Sequence, residues 1–452
     1  MTGSRITLTS ESADLAVEAA HACRELALDV DPRVVANAAD AAITALGEGV
    51  GVAVLLHAPP TAPQLVRLAL AARAAGRPCA LAIVGAGGDA TLPLALAGDL
   101  GLPAVDELRP LASALALLAI RAERPWAATT RGLSVVDRAR LRPVASAGER
   151  APGRVLRRDD GLLGYASDAH EEGIAVGEPR DLATALAALA MAEPDDPPAL
   201  GPPDDATRNA VLEVIFGPPR ALSDPASKAA LRHHGLPFPA EELCASPSRA
   251  ASEATRLGYP VRITLASPDL RVWDHPDLTV DGVDNAARVR DVYRQLVTQA
   301  EARAPGSRLL GVTVTTTRAA QALLRAEFEP LPEGLIGVRI GFADAHGLAS
   351  RDETLTAWPA SPARFERALA RLRGSELIFA GTPAVRRAAT SALHDVLTRL
   401  ARFVDAHRGE VERVRLQPLA LLFGGSVEAR EVCVTVGDAF RRSLEQSADP
   451  RG

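Results

Sequence analysis

The sequence predicts an α/β fold in two parts, a parallel sheet covered by helices and then an α+β module. Three observations carry that expectation. Two apolar runs, residues 51–56 (GVAVLL) and 79–84 (CALAIV), have the unbroken pattern of parallel strands covered on both faces, and Ala/Leu-rich helical segments flank them. Residues 193–205, EPDDPPALGPPDD, concentrate Pro and Asp and form the best boundary in the chain. Past that boundary the order opens as helix–strand–helix–strand and closes on two strands.

In the first part, residues 6–9 read as a short strand and 10–27 as a helix with apolar residues at Leu15, Val17, Ala20 and Cys23. Residues 32–46 read as a second helix. Strand 51–56 ends in the loop His57-Ala58-Pro59-Pro60, helix 63–75 follows, and strand 79–84 ends in Gly85-Ala86-Gly87-Gly88. Helix 92–100, strand 101–105 and helix 108–121 continue the alternation, which predicts a parallel sheet between two helical layers. Residues 125–203 are less regular, with turn signals such as Asp159-Asp160-Gly161. Within them 173–190 (GIAVGEPRDLATALAALA) looks like 101–119 (GLPAVDELRPLASALALLA). A remnant of another such unit, an added edge strand and helix, or chance likeness in Ala-rich sequence all account for it.

In the second part, Ser223 or Asp224 caps a short helix with Pro225 at its favoured first position. Gly235 stops that helix, and Pro237 and Pro239 extend the chain. A strand-like piece around Leu243, a helix over 246–257 closed by Gly258, and a buried strand over 261–265 follow, with Ser267-Pro268-Asp269 as a turn. Further helices are expected at 285–302, 362–374 and 384–407, and strands at 311–317, within 333–342, and at 411–422 and 427–437. The expected domains are 1–125, an irregular extension and linker at 126–205, and 206–452.

Composition narrows the function classes. A chain of 452 residues, 47% hydrophobic and 23% charged, is globular rather than disordered. A net charge of −6 argues against a non-specific nucleic-acid surface. Lys228 is the only lysine, and arginine supplies the rest of the 50 basic residues. Cys23, Cys79, Cys244 and Cys433 are far apart with no CxxC spacing, so neither a zinc site nor a disulfide framework is expected, and a reducing cytoplasm fits. No signal-peptide pattern opens the chain, and no apolar run reaches the ~18 residues of a membrane helix.

The motifs of the second part resemble the entry into the ATP-grasp domain of ADP-forming acetate–CoA ligases (NDP-forming acyl-CoA synthetases). His234-Gly235-Leu236-Pro237, Gly258-Tyr259-Pro260-Val261 and Ser267-Pro268-Asp269 carry the resemblance. Residues 352–378 (DETLTAWPASPARFERALARLRGSELI) are similar to that family's strand, Ala-Pro turn, helix and Leu-Arg-Gly. LLHAPP, GRPCALAIVG and GLPAVDELRPLASALALLA resemble its succinyl-CoA-synthetase-like module over 6–122. The resemblance implies a flavodoxin-like parallel-sheet domain followed by an ATP-grasp-like α+β domain. It also implies ATP, Mg²⁺ and CoA as ligands, and ATP-dependent ligation of an acid to a thiol, giving acyl-CoA, ADP and phosphate.

Carried over position by position, the resemblance departs at the site. The family's nucleotide-binding lysine falls on Thr264. Arg262, two residues earlier, shares its strand face and offers a cation, but as a planar fork rather than a point charge. Thr315 lies in the strand that stands for the family's hinge. The glycine-rich phosphate loop falls on 341–347, where Gly341 and Gly347 remain and Asp344 intervenes. The metal signature reads Arg415-Leu416-Gln417-Pro418-Leu419 and Val427-Glu428-Ala429-Arg430. Gln417 and Glu428 keep oxygen ligands, each one methylene longer than the family's, and the first acid has become Arg415; Mg²⁺ tolerates little such change. The family's Ser-His-Thr-Gly phosphohistidine motif and the glycine pair of its loop after Ser-Pro-Asp are missing.

Other candidates are weaker. His57 sits at a strand's carboxyl end, where open α/β sheets bind ligands, and matches a Pro-Pro loop of the family. Residues 85–88 can cradle a phosphate but put Ala90 in the third place of GxGxxG. His275 is a loop histidine, and His233-His234 is a poor metal pair. No GxxxxGK[ST], GxSxG or HExxH motif competes. The reading that follows is a degenerate acyl-CoA synthetase-like ATP-grasp protein, a cytoplasmic pseudoenzyme with weak nucleotide or CoA binding. Its expected partners are a second copy of itself or a CoA-binding, phosphohistidine-bearing subunit, with neither nucleic acid nor membrane. Two alternatives stay open, an active ligase subunit rebuilt around Arg262, Gln417 and Glu428, and an assembly component.

Overall fold

The computed structural model describes residues 6–25, 28–123, 153–157, 163–166, 174–176, 205–270, 272–343 and 349–440. The chain divides into two compact units, Met1–Asp195 and Asp196–Gly452.

The first unit runs β1 (Ile6–Ser10), α1 (Ala13–Glu25), β2 (Val30–Val34), α2 (Ala38–Gly47), β3 (Gly51–Leu56), α3 (Ala62–Ala75), β4 (Cys79–Ile83), α4 (Thr91–Asp99), β5 (Ala104–Val105) and α5 (Leu108–Glu123). These strands form a parallel sheet in the order β2-β1-β3-β4-β5. Every residue of β1, β3 and β4 is buried, as strands covered on both faces must be. The order reverses between β1 and β3, and His57 follows β3 at that point.

In this sheet one element differs from expectation. The helix expected from residue 32 is preceded by β2, which pairs with β1 at the sheet edge. Pro32 has no N–H to give a ladder, which only an edge strand tolerates, and it disfavours helix at Asp31. The helix starts later, where the Asn37 side chain accepts from the Asp40 N–H at 3.1 Å. A separate antiparallel sheet of β6 (Gly153–Arg157), β7 (Leu163–Ala166) and β8 (Ile174–Val176) has the order β7-β6-β8. The helical half of the 173–190 segment lies outside the described residues.

The second unit runs α6 (Asp205–Ile215), β9 (Arg220–Ala221), α7 (Asp224–Leu231), β10 (Glu241–Cys244), α8 (Pro247–Leu257), β11 (Val261–Ala266), β12 (Thr279–Val283), α9 (Ala286–Arg303), β13 (Gly311–Thr316), β14 (Ala320–Pro330), β15 (Ile336–Ala343), β16 (Ala349–Trp358), α10 (Pro362–Ala370), α11 (Ser375–Ile378), α12 (Pro383–Ala406), β17 (Val411–Leu422), β18 (Val427–Ala429) and β19 (Val432–Val436). It holds two antiparallel sheets. The smaller has the order β10-β13-β11-β12, and α8 and α9 pack on one face of it through Ala254, Val289, Val292 and Leu296. The larger has the order β16-β15-β14-β17-β19-β9, with β18 beside β17.

Period-two alternation decides what each sheet offers. On β14, Ala322, Leu324, Ala326 and Phe328 enter a core with Leu393, Leu397 and Leu400 of α12. Full burial of each such leucine stabilises the fold by about 1.5–3 kcal/mol. The intervening residues, Arg325, Glu327 and Glu329, stand on the opposite, helix-free face. In the smaller sheet, Val261, Ile263 and Leu265 of β11 and Val312 and Val314 of β13 face the helices. Arg262, Thr264, Thr313 and Thr315 are thereby turned the other way.

Candidate functional site

The helix-free face of the smaller sheet is polar. Strand register sets Arg262 beside Thr315 and Thr264 beside Thr313. The Thr279 hydroxyl donates to that of Thr264 at 3.4 Å. Arg262, Thr264, Thr313, Thr315 and Thr317, with Asp224 and Lys228 of α7 and with Arg430 and Glu431 before β19, line a narrow cleft of about 10 Å³. That volume admits about one water molecule, so a larger ligand requires these side chains to move.

Ion pairs fill much of this cleft. Arg262 is 3% exposed, and its Nη2 lies 2.7 Å from Glu431 Oε1, with Asp281 at 3.6 Å on the other side. Burial pushes the Glu431 carboxyl up to about 7, against the pull of Arg262. Lys228 lies between Asp224, at 2.8 Å, and Glu241, at 2.5 Å. Burial acts to lower the Lys228 pKa, but the two carboxylates outweigh it and hold the ammonium above its ordinary value. Asp224 also accepts from the Val432 N–H, and Ser227 from the Val434 N–H, which fixes α7 to β19. Lys228–Glu241 and Arg262–Glu431 therefore tie the smaller sheet to the larger through buried charges.

The position expected for a metal is also engaged internally. Gln417 is buried on β17, and its backbone N–H donates to the Glu431 carbonyl at 3.0 Å. Glu428, opposite Ala420 on β18, accepts from Arg318 Nε at 2.7 Å, and its second oxygen lies 3.5 Å from Arg430 Nη2. Arg415 pairs with Glu327 across the β14–β17 ladder at 3.0 Å. A dication on Gln417 and Glu428 would have to displace Arg318 and Arg430 from the one carboxylate there. Mg²⁺ does not fit these residues, and the described residues contain no group of three or more His, Cys, Asp or Glu suited to a metal.

The remaining expected residues are scattered. Gly341 lies inside β15, where an added Cβ would stand 2.8 Å from the Asp352 carbonyl oxygen and 3.0 Å from Glu353 Cβ, so its bareness lets β16 approach closely. Gly347 and Asp344 lie outside the described residues. His57 is exposed, with Nδ1 3.2 Å from the Val84 carbonyl oxygen. His234 packs edge-on against Phe403 at 5.2 Å, and His275 caps a short turn; neither lines the cleft. Sequence reasoning passed over Glu431, which no local motif marks, and Lys228. Its signal was present, a single lysine in a chain that otherwise uses arginine.

Residues 217–436 match the family model of an ATP-grasp domain. Subunit beta of the ADP-forming acetate–CoA ligase II of Pyrococcus furiosus is 22% identical over 219 residues, 46% of this chain and 88% of the relative. Among solved structures, a Pyrococcus horikoshii protein aligns with a TM-score of 0.45 and 18% identity, over 51% of this chain and 98% of its own. The dinucleotide-forming acetyl-coenzyme A synthetase 1 of Ca. Korarchaeum cryptofilum, solved with coenzyme A and Ca-AMPCP, aligns with a TM-score of 0.42 and 17% identity, over 48% and 93%. Among the described residues no helix is long and apolar enough to cross a membrane.

Proposed function

We propose that this chain, whose residues 217–436 are an ATP-grasp domain, is a degenerate relative of the ADP-forming acetate–CoA ligases. It binds a nucleotide only weakly, because the cleft between its two sheets admits about one water molecule until its ion pairs part, and it does not drive phosphoryl transfer. It serves as a non-catalytic partner or regulatory subunit, and the relative's name as a subunit supports a partner chain. Any coenzyme A chemistry belongs to that partner.

The observation that supports this reading is the Arg262–Glu431 pair. Phosphoryl transfer depends on preorganised cations, and usually a metal, at the oxygens where charge develops. Here Thr264 supplies no charge, and the cations around it are already bound to carboxylates of the chain. A phosphate entering the cleft competes with those carboxylates, which favours weak binding. The pairings of Arg262 and Glu428 give no support to a rebuilt active centre on the same residues.

Calorimetric titration with ATP tests the binding, and a coupled assay for ADP formation from ATP, acetate and coenzyme A tests the chemistry. The expected result is a Kd of about 0.1–1 mM, or roughly −4 to −5.5 kcal/mol, with no ADP formed above background. Turnover at an ordinary enzyme rate, about 1 s⁻¹ or faster, would restore the ligase reading. No heat at millimolar ATP would leave the assembly role instead.

A further inference from the structure

We propose that the groove between α10 and α12 binds a small primary ammonium ion carried on an apolar body about the size of a benzene ring. The proposal does not depend on the nucleotide reading. Phe365 of α10 and Leu393 of α12 enter the core on the helix-covered face of the larger sheet, and no residue that lines the cleft at Arg262 lines this groove.

Pro362, Phe365 and Glu366 of α10 and Thr390, Ser391 and His394 of α12 line an open groove of about 150 Å³. Spacings of three and four residues bring each set to one side of its helix. An engineered cavity of roughly this volume takes up benzene. Phe365 is buried and, with Pro362, gives the groove an apolar wall. His394 is held in place, its ring 5.1 Å from Trp358 and 5.5 Å from Phe365, with Nε2 2.8 Å from the Ala360 carbonyl oxygen. A carbonyl oxygen only accepts, so Nε2 carries the proton, and in the neutral ring Nδ1 is left as an acceptor.

The groove therefore has three groups that can accept, the Glu366 carboxylate, the Ser391 hydroxyl and His394 Nδ1. Glu366 forms no ion pair among the described residues, and the Thr390 hydroxyl lies a long 3.4 Å from its Oε1. That hydroxyl has one proton and also lies 3.2 Å from the Arg386 and Arg387 carbonyl oxygens of its own helix. Ser391 is exposed. No lysine or arginine lines the groove, so Glu366 gives it a negative charge. Arg387 and Asp395, one turn to either side of Ser391, lie outside the lining, and Asp395 is paired with Arg399 at 2.8 Å. An alkylammonium brings three N–H donors and no acceptor, which matches this set. A carboxylate ligand would meet Glu366, and a neutral alcohol would leave its charge unanswered.

The test is titration of the full chain with benzylamine, followed at the indole N–H resonances, because Trp358 packs against His394. A Kd of about 1 mM is expected, and benzyl alcohol, which keeps the ring and lacks the charge, should bind about tenfold more weakly. Glu366→Gln should weaken benzylamine binding by about tenfold, and Ser391→Leu, which fills the mouth of the groove, should abolish it. Both positions are exposed, so the fold should survive, with circular dichroism confirming it. If one variant does not fold, the other carries the comparison. Equal affinity for amine and alcohol, wild-type affinity in the folded variants, or no shift at about 20 mM benzylamine overturns the proposal and leaves the nucleotide reading untouched.

Discussion

Glu431→Ala is expected to lower the unfolding free energy of the second unit by about 3–5 kcal/mol at pH 8. The loss arises because Arg262 stays buried without the carboxylate 2.7 Å from its Nη2, and Asp281 is farther off at 3.6 Å. Arg262→Ala should cost a similar amount at pH 8 and less in mild acid. The Glu431 pKa is about 7, above the 4.5 of an ordinary glutamic acid, so the folded state holds an extra proton between those values. The neutral carboxyl suits a buried site, and this part of the stability is lost as pH rises through 7. Exchanging both partners, as in Arg262→Met with Glu431→Leu, should recover most of the loss, because two fitted apolar groups need no counter-charge. Urea unfolding of wild type, Arg262→Met, Glu431→Leu and the double variant gives the coupling. If the single losses simply add in the double variant, the two groups are not a unit. Glu431→Gln carries a functional corollary. It removes the Glu431 charge that competes with phosphate for Arg262, so ATP affinity should rise by about tenfold even as stability falls.

The same pair shows what could and could not be read in the sequence. Residue types at the site were legible from local motifs: Thr264 in place of a lysine, Arg415 in place of an acid, and Arg262 on the face of Thr264. Their partners were not. Glu431 is 169 residues from Arg262, and Glu327 is 88 from Arg415, and no local rule links such positions. The fold divides in a similar way. β3 and β4 announced themselves as apolar runs, and α8 and β11 by their Gly and Pro boundaries. β14 was missed because AQALLRAEFEP is built of good helix formers. Only pairing with β15 and β17 on either side makes it a strand, although its two-residue alternation was visible. Tertiary pairing overrides intrinsic preference there, and in doing so it turns Arg325, Glu327 and Glu329 away from the core.

A second large effect belongs to His407, at the end of α12. Its side chain is wholly buried against Phe403, with Arg208 of α6 and His234 the charged or titratable groups acting on it. Neither ring nitrogen has a hydrogen-bond partner among the described residues. Burial first, then Arg208 and His234, lowers its pKa from 6.5 to about 4. The unfolded chain therefore takes up a proton below pH 6.5 that the folded chain refuses down to pH 4. The contribution is complete above pH 6.5 and drains away as pH falls, reaching a loss of about 2–3 kcal/mol near pH 4.5. Glu431 acts with the opposite sign over 4.5–7, so the wild-type stability curve should look flatter than either group alone would make it. His407→Leu, a fit of similar volume, should change stability little at pH 7. At pH 4.5 it should be about 2–3 kcal/mol more stable than wild type, with the slope due to Glu431 now exposed. Urea midpoints for both proteins between pH 4.5 and 8 decide the matter. Parallel curves would mean that His407 is not held neutral, and that its burial is not the source of acid sensitivity.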